Sequence, residues 1–215
     1  MKKSAPALLA TALAIAGVFA MAAPVSAAPT HTALVNSATS STSTQQAPGC
    51  VAAVKAALSK GLNVTGVDCT ITTIATTSAA IPATVAAIKS DSSLTSAQES
   101  QLVQLAAAGA VQSKHYSWFT TGAAYTVTQN GTFYYDGSHA WVGTTYRGYK
   151  GSHACFTNYA AGLNITNEAC SESGGTSSRT MYFQWRVTWF PGPPYWGLNY
   201  SVSNTGIVYS NGTTS

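Results

Sequence analysis

The sequence predicts an α+β protein in which an antiparallel β-sandwich, or a compact barrel, follows a small Ala-rich helical unit. Aromatic residues are confined to the later part of the chain: apart from Phe19, every Phe, Trp and Tyr lies at Tyr116 or beyond. In that part, apolar and polar residues alternate over residues 180–189, the pattern of a strand with one buried face. We therefore divide the chain into a signal peptide (1–27), a linker (28–48), a helical unit (49–114) and a β domain (115–215).

The N-terminus has the layout of a secretory signal peptide. Lys2 and Lys3 precede an apolar stretch, and Val25-Ser26-Ala27 supplies the small residues that a signal peptidase accepts. We expect cleavage after Ala27, because a cut one residue later would place Pro29 across the scissile bond. The alternative is an uncleaved membrane anchor, but Pro, Thr and Gly interrupt the apolar stretch. No later apolar run is long enough to span a bilayer, so we expect a secreted, extracellular protein without a transmembrane span.

The charge balance argues against a nucleic-acid partner. Loss of Lys2 and Lys3 lowers the formal net charge from +4 to +2, and only 7% of the residues are charged. We expect no cofactor. The Ala-rich signal, the Ser/Thr-rich segment after it and the compact β ending resemble small secreted proteins of high-GC Gram-positive bacteria, and this resemblance implies a bacterial source.

The four cysteines predict two local disulfides. An even number of cysteines in an exported chain favours disulfides over free thiols, and neither pair has the CxxC spacing of a zinc site. Three connectivities are possible. We favour Cys50–Cys69 and Cys155–Cys170, because the two pairs lie far apart in sequence, on either side of the change in composition.

The linker and the helical unit carry little apolar surface. Residues 28–48 are rich in Ser and Thr, and we expect them to be disordered because they cannot offset the entropy of ordering. Val51, Val54 and Leu58 follow a helical repeat that stops near Gly61. A second helix is expected to begin at Pro82, and Ser96-Ala-Gln-Glu99 is expected to form a capping box before Leu102 and Leu105.

Three segments define the predicted strands of the β domain. Asn130-Gly131 is expected to form the tight turn of a hairpin, since both residues tolerate the positive φ angles of a type I′ turn. Residues 180–189 are expected to form one long strand. Its buried face would consist of Met181, Phe183, Trp185, Val187 and Trp189. Two further strands are expected on either side of a turn at Thr205-Gly206.

Exposed aromatic and polar residues near the long strand predict a ligand-binding face. Tyr182, Gln184 and Arg186 lie on its polar side, and Tyr195-Trp196 follows a proline-rich turn. A sugar ring can stack on an aromatic face while amide and guanidinium groups bind its hydroxyls. In the alternative interpretation these rings fill the ends of the core.

Two other groups are weaker candidates. Asp136, His139 and His153 are close in sequence and predict either a metal or acid–base site, or, with Asp136 before a glycine, a turn cap. Arg147, Tyr149 and Lys150 lie in a glycine-punctuated basic loop that would meet an anionic surface or simply be solvated. No catalytic sequence motif is present, so the evidence for an enzyme is thin.

These observations favour a secreted, non-catalytic binding module for a cell-envelope glycan or an extracellular protein partner. One alternative is an antimicrobial or envelope-active β-sandwich polypeptide, with residues 28–114 as a leader. The other is a metal-assisted hydrolase that uses Asp136, His139 and His153.

Mass spectrometry of the protein released by a secreting host tests the predicted processing. We expect a single species that begins at or near Ala28, because the small-residue motif directs cleavage after Ala27. A species that begins near His115 would instead identify residues 28–114 as a removed leader.

Overall fold

Antiparallel strands make up most of the protein. The structure is a computed structural model that describes residues 34–35, 37–82, 88, 94–107, 111–190 and 197–215. The predicted signal peptide and the predicted site residues Tyr195 and Trp196 lie outside this part of the chain. The strands are β1 (Thr39–Gln46), β2 (Thr70–Thr77), β3 (Ile81–Pro82), β4 (Gln112–Thr121), β5 (Tyr125–Tyr135), β6 (Ala140–Trp141), β7 (Ser152–Ala160), β8 (Leu163–Gly174), β9 (Ser178–Trp189) and β10 (Asn199–Tyr209), and the helices are α1 (Pro48–Ser59) and α2 (Ser96–Ala107).

The strands form two antiparallel sheets, which confirms the predicted sandwich-like fold. The large sheet has the order β1-β2-β4-β5-β6, with β3 also paired to β4 and β7 also paired to β5. The small sheet has the order β10-β9-β8. Each sheet buries one set of alternate side chains against the other, as period-2 patterning requires.

The predicted alternation of β9 is confirmed. Its odd-numbered residues from Met181 to Trp189 are buried, while Arg186 on the opposite side is exposed. From the large sheet, Tyr116, Trp118, Tyr125 and Phe133 are buried in the same interior. Each such large side chain contributes about 1.5–3 kcal/mol when fully buried, so the aromatic residues supply much of the stability of the sandwich.

Both predicted glycine turns are wrong. Asn130-Gly131 lies in the middle of β5, where Gly131 pairs with Tyr116 on one side and His153 on the other. Gly206 lies in the middle of β10 and pairs with Met181. Both glycines allow a neighbouring group to pack directly against the strand. A Cβ at position 131 would lie 1.8 Å from the Ser152 carbonyl oxygen, and a Cβ at position 206 would lie 2.3 Å from the Trp118 ring.

The predicted boundary at His115 also differs from the structure. His115 lies within β4, which pairs with β5 along its whole length and with β2 over residues 116–121. Residues 31–215 accordingly form one compact unit. The absence of aromatic residues before Tyr116 marked a difference in composition rather than a domain boundary, since Thr- and Ile-rich β2 pairs through its backbone.

The expected disordered linker contains a strand. Thr39–Gln46 forms β1, which pairs with all eight residues of β2. Every side chain of β1 is exposed, and Thr39 and Thr44 hydrogen-bond to threonines across the strand pair. The segment buries no apolar surface, but Thr favours strands, and the edge of β2 satisfies the backbone.

The helices follow the sequence closely. α1 ends at Ser59, and Gly61 adopts a positive φ of 74° just beyond it, as expected for a helix terminus. α2 begins at Ser96, and its capping box lies one residue earlier than predicted, because Thr95 and Gln98 bond reciprocally through their side chains and backbone N–H groups. Pro82, where a helix was expected to begin, lies in β3 instead. In the described part of the chain, neither helix is long and apolar enough to cross a membrane.

The two predicted disulfides are confirmed. Cys50–Cys69 attaches α1 to the segment just before β2, and Cys155–Cys170 connects β7 to β8. The second bridge therefore joins the large sheet to the small one. Such bridges are typical of proteins that fold outside the reducing cytosol.

A buried lysine ties the two ends of the described chain together. Lys114 is almost fully buried, and its Nζ donates to the backbone carbonyls of Ser37 (2.8 Å) and Gly212 (3.0 Å). Burial lowers the pKa of this amine. The hydrogen bonds hold the segment before β1 and the C-terminal turn against β4.

Substitution of Gly131 tests the close approach of β5 and β7. We expect Gly131→Ala to lower the free energy of unfolding by about 1–3 kcal/mol, as overpacking of a well-packed site does. The matched control is Gly175→Ala, because no atom lies within 4 Å of a Cβ at that position. Urea denaturation measures both. Equal stability of the two variants would contradict the close approach.

Candidate functional site

Three of the predicted ligand-binding residues are engaged in a hydrogen-bond network. Tyr182 donates its hydroxyl to Gln184 Oε1 (2.6 Å), and Gln184 Nε2 donates to Glu168 Oε2 (2.8 Å). Ser201 Oγ donates to the same carboxylate oxygen (2.7 Å), and Arg186 pairs with Oε1. The network spans all three strands of the small sheet, so its members are largely occupied with one another.

Glu168 is the centre of this network, and the sequence analysis did not identify it. The pairing of β8 with β9 skips Glu168 at an irregularity between Asn167 and Ala169. The Ser201 hydrogen bond, together with those of Arg186 and Gln184, holds the pKa of the Glu168 carboxyl below its usual range. A bulge of this kind cannot be recognised from the alternation of apolar and polar residues in the sequence, so Glu168 was not identified.

Asp136, His139 and His153 do not form one site. Asp136 Oδ1 accepts hydrogen bonds from the backbone N–H groups of Ser138 (2.9 Å) and His139 (2.7 Å), which confirms the turn-cap interpretation. His153 pairs with Gly131, five residues from Asp136 along β5, or roughly 16 Å at about 3.3 Å per residue. The predicted trio is therefore divided between two places.

Part of the positive charge of the predicted basic loop is neutralised by Asp136. Tyr146 and Tyr149 pair across a tight turn in which Arg147 has a positive φ of 52°. The Arg147 guanidinium lies 3.0 Å from Asp136 Oδ2 and over the Tyr146 ring. Tyr149 is buried, which raises its pKa to about 12, while Lys150 is exposed. Arg147, the arginine of this loop, thus holds the turn and does not present a free charge.

A shallow aromatic cleft lies beside this turn. Its volume is about 360 Å³, and Trp141, Tyr146 and Arg179 form part of its wall. The Tyr146 ring packs against His139 on one side, and Arg147 lies over it. Arg179 is held by Glu172 at 2.7 Å. The cleft therefore offers few free polar groups to a ligand.

A polar groove of about 570 Å³ follows β2, β4, β5 and β7 on the open side of the large sheet. We call it the groove. Hydroxyl, amide and imidazole groups predominate among its lining residues, which are Thr76, Thr77, Ser78, His115, Tyr116, Ser117, Asn130, Gly131, Thr132 and Ser152. His115 Nδ1 and the Thr132 hydroxyl hydrogen-bond at 2.9 Å, which fixes the imidazole on the sheet. None of the described residues that line it is Asp, Glu, Lys or Arg.

An apolar stripe crosses the same face of the sheet beside the groove. Ile74 pairs with Phe119, Phe119 with Thr128, and Thr128 with Phe156. These four residues therefore stand in one row on neighbouring strands, and we call Ile74, Phe119 and Phe156 the apolar stripe. Ile74 is 40% exposed and Phe156 39% exposed.

The stripe and the groove match the two kinds of surface on a sugar. Strands are about 4.8 Å apart, so the stripe runs roughly 14 Å from Ile74 to Phe156. The row of His115 and Thr132 lies four residues along β4 from Phe119, about 13 Å away at 3.3 Å per residue. An apolar wall with polar groups at that distance can hold an extended ligand that has both apolar faces and hydroxyl edges.

Sequence reasoning missed this face because it is assembled from strands far apart in the chain. One signal was present: His115, Ser117 and Phe119 alternate with buried residues in β4 and are of the types that bind ligands. The comparisons with protein-family models, with curated proteins and with solved structures found no match to this chain.

Removal of the Glu168 charge tests the network on the small sheet. The folded-state pKa of Glu168 is lowered, so its carboxylate stabilises the fold above the ordinary pKa of 4.5, and this stabilisation is lost as the pH falls through the lowered value. We expect Glu168→Gln to lower the melting temperature at neutral pH. The difference between the two proteins should shrink in melting curves recorded well below pH 4.5. A difference that is the same at all pH values would contradict the network.

Proposed function

We propose that the protein is a secreted, non-catalytic binding module that holds a cell-envelope glycan on the open face of its large sheet. The observation that carries this proposal is the juxtaposition of the apolar stripe with the hydroxyl-rich groove. Pyranose rings have apolar C–H faces that pack on aromatic side chains and hydroxyl edges that bond to polar ones.

The dimensions and charge of the groove support a neutral, polar ligand. Its volume of about 570 Å³ is within the range of about 300–1,000 Å³ usual for ligand pockets. Without Asp, Glu, Lys or Arg in its lining, the groove offers no strong field to an anion or a cation. An uncharged glycan segment suits it better than an anionic polymer.

The carboxylates of residues 115–215 support a role without catalysis. Glycosidases use two carboxylates placed on either side of the scissile bond. Here Asp136, Glu168 and Glu172 each pair with an arginine, respectively Arg147, Arg186 and Arg179. Glu168 and Glu172 both lie on β8 in the small sheet, and none of the three lines the groove.

The position of β2 supports a module that includes the earlier residues. β2 lies between β1 and β4, and it supplies Ile74 to the stripe and Thr76 to the groove. A leader that carried residues 28–114 away would remove both and expose the edge of β4, which is an aggregation hazard. The proposed binding face therefore favours a retained segment over a leader.

Retention on insoluble glycans tests the proposal. The full secreted chain is incubated with peptidoglycan, chitin and cellulose, and the bound fraction is measured in low and high salt. We expect retention on at least one of them that persists in high salt, because the groove is uncharged. Phe156→Ala should weaken it about tenfold, the equivalent of about 1.4 kcal/mol from a lost ring contact.

Phe190→Ala is the matched control. Phe190 is 59% exposed and directly follows β9 in the small sheet, so its loss removes an exposed ring without touching the stripe. No retention on any of the three glycans, or equal losses for the two variants, would exclude the large-sheet face as the glycan site. A protein partner would then be the remaining form of the hypothesis.

A further inference from the structure

The disulfide between the two sheets has a histidine beside it. His153 Nε2 lies 3.3 Å from Cys155 Sγ, and His153, Cys155 and Cys170 bring their three ligand-type atoms within 4.8 Å of one another. The imidazole is half-buried, and Cys170 is exposed at the surface. The cluster therefore combines a fixed nitrogen with sulfur atoms that solvent can reach.

A second hydrogen bond orients the imidazole. The Tyr116 hydroxyl lies 2.7 Å from His153 Nδ1 and 3.2 Å from the Ser152 carbonyl oxygen, so it holds the Nδ1 side of the ring. A disulfide sulfur carries no hydrogen, so Nε2–H donates to Cys155 Sγ while the bridge is intact. Metal binding at Nε2 requires this proton to move to Nδ1, where the Tyr116 hydroxyl can accept it. Hydrogen bonds of this kind to the distal nitrogen fix histidine ligands in metal sites.

Burial lowers the pKa of His153, with smaller opposing effects of the Tyr182 carbonyl and the Glu172 carboxylate. Gln129, which pairs with Cys155 and is fully buried, has no hydrogen-bond partner for its side-chain amide among the described residues. Gln129 therefore places an uncharged polar group on the strand beside Cys155.

The spacing of the cluster matches zinc coordination. A tetrahedral zinc ion with bonds of about 2.0 Å to nitrogen and 2.3 Å to sulfur places these two ligand atoms about 3.5 Å apart. The observed Nε2–Sγ distance of 3.3 Å is close to that value. Two thiolates and one imidazole supply three ligands, and the exposed side of Cys170 leaves the fourth position to water.

We propose that His153, Cys155 and Cys170 form a redox-gated zinc site, closed while the cysteines are joined and open to Zn²⁺ once a thiol or phosphine reductant has cleaved the bridge. A dithiol reductant gives up two electrons and two protons to the S–S bond, producing two cysteine thiols and the disulfide of the reductant. Zn²⁺ then binds both sulfurs and Nε2, and the two thiol protons are released to solvent.

The other disulfide provides an internal comparison. Cys50 is 1% and Cys69 9% exposed, and the described residues place no histidine in a cluster with them. Mild reduction should therefore open Cys155–Cys170 first, since thiol–disulfide exchange requires access to a sulfur atom. Alkylation followed by peptide mapping identifies which pair has been reduced.

The experiment uses the full chain and Zn²⁺ alone. Oxidised protein and protein reduced with a phosphine are titrated with Zn²⁺ against a chromophoric chelator in the absence of oxygen. We expect one Zn²⁺ per reduced chain and none per oxidised chain. His153→Ala should weaken binding at least tenfold and Tyr116→Phe about tenfold, the range found when a ligand or its hydrogen-bond partner is lost. His139→Ala should bind as the parent does.

Alkylation rates keep the result interpretable if reduction loosens the fold. Bound Zn²⁺ should slow alkylation of Cys155 and Cys170 but not of Cys50 and Cys69. Equal protection of the four cysteines, unchanged affinity in His153→Ala, or stoichiometric binding to the Cys155→Ser/Cys170→Ser double variant would each overturn the proposed site. Absence of binding to a reduced chain that retains its far-UV circular dichroism would do the same.

Discussion

The packing of two neighbouring rings on β4 against two glycines sets the geometry of the sandwich. Tyr116 and Trp118 are in contact, with ring centroids 4.5 Å apart, and both point into the interior. The Trp118 ring occupies the space above Gly206 of the small sheet. A Cβ of Gly131 would lie 1.8 Å from the Ser152 carbonyl oxygen and 2.7 Å from the Tyr116 hydroxyl. Interiors pack at crystal-like density, so any side chain at either position would have to move a large ring or a backbone strand. The separation of the two sheets therefore depends on Gly206, while Gly131 allows the close approach of β5 and β7 within the large sheet.

The same constraint connects the interior to both surfaces of interest. Tyr116 points into the interior and is also one of the residues that line the groove. Its hydroxyl also contacts His153, which faces the bridge between β7 and β8. Truncation of the Tyr116 ring would thus disturb the core, the groove and the surroundings of the disulfide together. Tyr116→Phe removes only the hydroxyl, so its effect on His153 can be separated from an effect on packing.

The elements that sequence could predict are those specified by local pattern. The alternation in β9, the start of α2 and the pairing of neighbouring cysteines depend on residues close together in the chain. Gly131 and Gly206 were misinterpreted because a glycine flanked by strand residues gives the same local signal in a turn as in a close contact, and only the distant Trp118 or Ser152 distinguishes the two. β1 was missed for a related reason: its Ser and Thr side chains bury nothing, and β2 alone stabilises it. In the candidate site, Tyr182, Gln184 and Arg186 were correctly placed on one face of β9. Glu168, whose carboxylate bonds to Gln184 and Arg186, lies at a bulge in β8 that the sequence pattern did not reveal.

Charge pairing explains why the large sheet rather than the small one presents free polar groups. The three arginines of the chain pair with the three carboxylates found after residue 115, and two of those pairs, Arg179–Glu172 and Arg186–Glu168, lie on the small sheet. Each pair satisfies its members and leaves little for a partner to bind. The open face of the large sheet instead carries hydroxyls and one imidazole, whose hydrogen-bonding capacity exceeds what their neighbours use. In a chain with so few charged residues, the proposed function assigns recognition to this neutral surface, and the partners that would fit it are those whose own surface consists of hydroxyls and apolar ring faces.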